Sequence, residues 1–140
     1  MQRRHFLTLT ATGFMLTGLS APARAADRVF YTPGLAEDAM AAGKVVFLDF
    51  WTNWCTTCAA QGRAIEALRA ANPAYDKAIT FITVDWDQYE AGTLAKSLNI
   101  PRRSTLVALN GKTELGRIVA GTSQADIKAL LDMALAAASA

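Results

Sequence analysis

The chain's only two cysteines stand together, in Trp54-Cys55-Thr56-Thr57-Cys58. An apolar run, Val45-Val46-Phe47-Leu48-Asp49-Phe50-Trp51, leads into them, and a helix-like stretch from Thr57 to Ala71 follows. A buried strand that ends in a dithiol and opens at once into a helix is a thiol–disulfide redox signature. The i, i+3 spacing brings both sulfurs to one face of the helix, which permits a disulfide across a tight ring. A ring this short restrains little chain entropy, so a purely structural bridge would stabilise weakly. A zinc or iron–sulfur site takes about four ligands, and one chain offers two thiolates.

The N-terminus reads as a targeting segment. Met1-Gln2-Arg3-Arg4-His5 is a basic head, and Phe6 to Leu19 is an uncharged run of 14 residues. That run is too short for a comfortable membrane span. Ala23-Arg24-Ala25 is a small-x-small cleavage site. Arg3-Arg4-His5-Phe6-Leu7 resembles the twin-arginine export motif, and the general secretion route fits the same basic pair. The expectation is a cleaved signal over residues 1–25 and one domain over 26–140, exported to the periplasm. Removing Arg3, Arg4 and Arg24 from the 14 basic residues leaves 11 against 12 acidic ones, a net charge of −1. There is then no electrostatic case for nucleic acid. His5 leaves too, which excludes Cys-His catalysis and His-containing metal sites in the mature protein.

Apolar content of 52% suits a single packed core. Val29-Phe30-Tyr31 reads as a first edge strand, and Leu35 to Ala42 as a short helix closed by Gly43. Val45 to Phe50 and Ile79 to Val84 read as strands buried on both faces. Asn72-Pro73 ends the helix that follows the cysteines. Glu90 to Leu98 reads as a helix. Thr105 to Leu109 and Glu114 to Val119 form a hairpin across Asn110-Gly111. Thr122 or Ser123 caps a last helix whose Ile127, Leu130, Leu131 and Ala134 share one face, with Ala136 to Ala140 expected to fray. This order predicts an α/β fold, a mixed sheet with helices on both faces.

With these elements in place, the chain resembles the thioredoxin family over roughly Leu35 to Leu135. The resemblance rests on Asp49-Phe50-Trp51 before the W-C-x-x-C motif, and on Val84-Asp85-Trp86-Asp87 at the next strand end. Asn99-Ile100 through Thr105-Leu106-Val107 and Gly121 extend it. The longer stretch between Asp87 and Leu98 is similar to periplasmic thioredoxin domains of transmembrane thiol reductases. Two departures stand out. Ser104 occupies the position of the family's cis-proline, which implies either a costly cis bond, a trans bond with a reshaped loop, or a shift that recruits Pro101; the reshaped loop is expected. Thr83 stands where many relatives carry a buried lysine.

The resemblance implies roles residue by residue. Cys55, exposed at the helix N-terminus, is the expected nucleophile, its thiolate favoured by the helix dipole and free N–H groups. Cys58, buried and less acidic, resolves the mixed disulfide. Asp49, a lone carboxylate in an apolar strand with a raised pKa, accepts the Cys58 proton through a water. Trp54, Arg103, Ser104 and Thr105 are the expected substrate-binding residues, with Trp51 either collar or core. One of Arg102 and Arg103 is expected to stabilise the Cys55 thiolate. The implied activity is protein-disulfide reduction by a monomer without cofactor, fed by a membrane thiol-reductase donor. A disulfide oxidase or isomerase and a soft-metal or cluster carrier are the alternatives.

Overall fold

Val45–Trp51 forms β1, the strand around which the domain is built. The computed structural model describes residues 27–140, so the expected signal lies outside the described residues. β1 pairs in parallel with β2, Thr80–Asp85, and antiparallel with β3, Thr105–Asn110. β4, Thr113–Val119, adds an antiparallel edge to β3, giving the order β2-β1-β3-β4. This is the mixed sheet expected from the alternation of helices and apolar runs.

The alternation of side chains along β1 sends its residues to two cores. Val46, Leu48 and Phe50 pack on one face beneath α1, Leu35–Ala41. Val45 and Phe47 pack on the other against α2, Thr56–Ala71, and α6, Gln124–Ala138. Asp49 shares that second face.

Several elements differ from expectation. The first edge strand is a single bridge, Phe30 to Thr83, because a turn begins at Thr32 and Gly34 enters α1 with φ 97°. A helix α3, Ala74–Ala78, follows Pro73, its first turn held by the Asn72 side chain accepting from Ala74 N–H. Asn72-Pro73 thus ends one helix and starts another, and buried Tyr75 ties α3 to α6 by donating to Asp132. The expected Glu90–Leu98 helix is shortened to α5, Thr93–Ser97, and a separate, unexpected single turn, α4, Trp86–Tyr89, lies ahead of it. Asp85 caps α4 early by accepting from Asp87 N–H, and Gly92 breaks the run. The end of α6 does not fray at Ala136; it continues to Ala138. Among the described residues no helix is long and apolar enough to cross a membrane.

The loop before β3 is reshaped. No described peptide bond is cis, and Ser104 takes a left-handed φ of 63°. A non-glycine residue there costs about 1–2 kcal/mol. Three hydrogen bonds hold it: Ser104 N–H donates to Phe50 O at 2.7 Å, and Ser104 O accepts from Ala120 N–H at 2.8 Å and from Gln61 Nε2 at 3.0 Å. Gln61, fully buried on α2, also donates to Gly121 O at 2.9 Å. Gln61→Leu keeps the volume but removes two hydrogen bonds, one of the two that Ser104 O accepts and the one to the part-buried Gly121 O. It should lower stability by about 1–3 kcal/mol, read as a lower urea midpoint at unchanged m-value.

Candidate active site

Cys55 is the N-cap of α2, in extended conformation, and its sulfur accepts from Cys58 N–H at 3.1 Å. One free amide of the first turn, that of Cys58, therefore faces the sulfur, as the strand–helix junction predicts. Cys55 is not exposed, however. Only 7% of it is accessible and Cys58 is wholly buried, because the Ser104 loop packs over both. Ser104 Oγ lies 3.1 Å from each sulfur. Both cysteines are free thiols in the structure.

The two thiols have opposed acidities. Burial works against a Cys55 thiolate, but the Cys58 thiol, the Ser104 hydroxyl, the Cys58 amide and Arg103 outweigh it, bringing Cys55 down to about 7. Burial pushes Cys58 up, and the neighbouring Cys55 adds to that, against the Ser104 hydroxyl and the Thr52 backbone. Such a pair holds one sulfur ready to attack and one in reserve.

The rim is aromatic and cationic. Trp54 is 57% exposed, with its indole N–H donating to Asp87 Oδ2 at 2.7 Å. The Arg103 guanidinium lies 4.2 Å from the centre of the Trp54 ring. Of the two arginines, Arg103 is the one turned to the site; Arg102 is exposed and donates to Arg103 O. Trp51 is half-buried against Phe30 and Arg28. Trp86 and Tyr89 pack edge-on against Phe50 and Tyr31, so they are packing residues.

Two of the expected substrate-binding residues have polar groups bonded within the protein. Thr105 is buried, and its hydroxyl donates to Arg102 O at 2.7 Å, closing the loop rather than facing a ligand. The backbone groups of Ser104 are likewise bonded within the protein, so only its hydroxyl faces the sulfurs.

Asp49 is buried but not alone. Arg28 Nη1, from the segment ahead of α1, donates to its Oδ2 at 3.1 Å and lies 3.4 Å from Thr83 Oγ1. A cation therefore reaches the Thr83 position from another part of the chain. Gly62 makes room for it, since a Cβ there would lie 2.6 Å from Arg28 Nη2. Asp49 hydrogen-bonds neither sulfur, and its Oδ1 has no protein partner. Burial pushes the carboxyl up and Arg28 pulls it back, leaving it at about 6. Sequence reasoning did not single out Arg28 or Gln61. The need of Asp49 for a countercharge was the available signal for Arg28; nothing in the sequence marked Gln61. Among the described residues no group of three or more His, Cys, Asp or Glu side chains is gathered as a metal site.

The family model described as thioredoxin matches residues 34–133, and the chain belongs to the thioredoxin family. It is similar to the solved structure of Trxlp from Edwardsiella tarda, with 27% identity, covering 73% of this chain and 97% of that one, at a TM-score of 0.63. It is also similar to Malassezia sympodialis thioredoxin, with 24% identity over 71% and 85% of the two chains, at a TM-score of 0.61. Oxidised thioredoxin from Plasmodium falciparum shares the fold at 19% identity, covering 76% and 96%, with a TM-score of 0.61. No curated protein matches the sequence. The protein is a thioredoxin-fold thiol–disulfide oxidoreductase with a Cys55–Cys58 pair.

Asp49 should make stability depend on pH. Between about 4, the unfolded value, and about 6, Asp49 is protonated in the native state and ionised in the unfolded chain. The native state then holds more protons, so stability falls as pH rises through this window, by about 3 kcal/mol in all. In Asp49→Asn that contribution is absent. Urea unfolding at pH 4 and pH 7 should show the variant gaining on wild type by about 2–3 kcal/mol.

Proposed function

We propose that this protein is an exported disulfide reductase of the periplasm. The observation that carries the dithiol chemistry is the pair of free thiols at one helix N-terminus, with Cys55 lowered to about 7 and Cys58 raised. The Cys55 thiolate attacks a substrate disulfide, and one substrate sulfur leaves as a thiolate. Cys58 then gives up its proton and attacks Cys55 Sγ, releasing the second substrate thiol and forming the Cys55–Cys58 disulfide. Asp49 is the proposed proton acceptor, reached through a water. Exposed Trp54 with Arg103 above it offers an apolar and cationic platform for a protein partner.

The basic head, uncharged run and Ala23-Arg24-Ala25 site support export. In an oxidising compartment the pair would remain a disulfide unless electrons are returned, so the proposal includes a membrane thiol-reductase donor. A Cys55 acidity near that of thioredoxin, about 7, rather than near the strong oxidant's about 3.5, favours the reducing direction.

The reduction potential tests the direction. Equilibration in thiol buffers, read by intact mass after alkylation, should give about −250 mV or lower. A value of about −180 to −120 mV would reassign the protein as an isomerase or oxidase. Cys55→Ser should abolish insulin reduction, Cys58→Ser should trap a mixed disulfide, and Asp49→Asn should slow turnover near neutral pH. Unchanged turnover in Asp49→Asn would remove Asp49 from the mechanism.

A further inference from the structure

Ser104 is held in place without its hydroxyl. Its N–H is bonded to Phe50, and its C=O to Ala120 and Gln61. The hydroxyl has no other partner than the two sulfurs, each 3.1 Å away, in a spot closed to solvent. The left-handed backbone at φ 63° suits glycine best, so the loop geometry gives no reason for a side chain here. A hydroxyl carries one hydrogen, and it can donate to one sulfur at a time.

We propose that the Ser104 hydroxyl is a catalytic group that serves the two sulfurs in turn, donating first to the Cys55 thiolate and then to the Cys58 thiolate. This rests on the dithiol-exchange reading above. In the reduced protein the negative charge is on Cys55, and the hydroxyl points there. Once Cys55 is bonded to the substrate sulfur it carries no charge. The hydroxyl then turns to Cys58 as that thiol ionises and attacks. Two electrons pass from the dithiol to the substrate disulfide. The Cys58 proton and one from solvent complete the two product thiols, and Ser104 keeps its own.

Other groups face Cys55 as well. The Cys58 amide and thiol come from α2, and Arg103 comes from the same loop. At the rim, Asp87 on α4 is engaged by the Trp54 indole, and Asp49 on β1 is engaged by Arg28. Arg103 bears on Cys55, whereas the hydroxyl touches both sulfurs. Ser104 therefore affects both chemical steps.

The test uses Ser104→Ala and Ser104→Gly in the full chain. Glycine relaxes the left-handed backbone, so at least one variant keeps the fold. The first readout is the pH dependence of Cys55 alkylation by iodoacetamide. The second is single-turnover reduction of an aromatic disulfide, in which release of the second aromatic thiolate reports Cys58 attack. Both variants should show about tenfold less Cys55 thiolate below the midpoint, and about tenfold slower second release at pH 7. Both readouts within about twofold of wild type, whatever the change in urea stability, would overturn the proposal. A shifted alkylation profile with unchanged second release would overturn the shared role. Wild type that releases no second thiolate would instead sink the dithiol-exchange reading itself.

Discussion

The hydrogen bond from Ser104 N–H to the Phe50 carbonyl fixes the site. It extends the β1–β3 pairing past Thr105 into the loop, at the end of β1 that leads to the cysteines. Because β1 is clamped between two cores, that carbonyl has little freedom. The loop is thus referenced to a central strand buried on both faces, and the helix that begins at Cys55 is referenced to the same strand. Two parts distant in sequence meet with their geometry set by one shared element.

Electrostatics then divides labour between neighbours of the same kind. Cys55 and Cys58 are chemically identical and one helical turn apart, yet the first is pulled down and the second pushed up. The difference comes from position. Cys55 receives the Cys58 thiol, the Ser104 hydroxyl, the helix's free amide and the loop cation, which together outweigh its burial, while Cys58 is one turn inside, where burial dominates. Asp49 shows the same competition with a different winner. There a paired guanidinium does not overcome burial, and the carboxyl stays high.

Much of this was legible in the sequence. The apolar run before W-C-x-x-C, the hairpin after β3 and the i, i+3, i+4, i+7 stripe of α6 are local patterns that the structure follows, with the turn one residue later than expected, at Gly111-Lys112. The cysteines' place at the strand–helix junction was legible for the same reason. What was not legible depends on contacts across the chain. Arg28 sits in a segment without periodicity, and its partners are on β1 and β2. The burial of Cys55 follows from a loop nearly fifty residues later. The turn at Trp86–Tyr89 depends on a side-chain cap at Asp85, and the later helix starts only at Thr93 because Gly92 breaks the run. Thr105 was placed correctly in sequence, but where its hydroxyl would point was set by the reshaped loop.

Gly62 shows how one missing methyl group carries weight elsewhere. A Cβ there would push aside only the tip of a flexible arginine, so the steric penalty is small. The displaced charge, however, is the one that faces Asp49. Positions 28, 49 and 62 are therefore physically coupled: a side chain at 62 crowds the guanidinium on which the carboxyl relies for its countercharge.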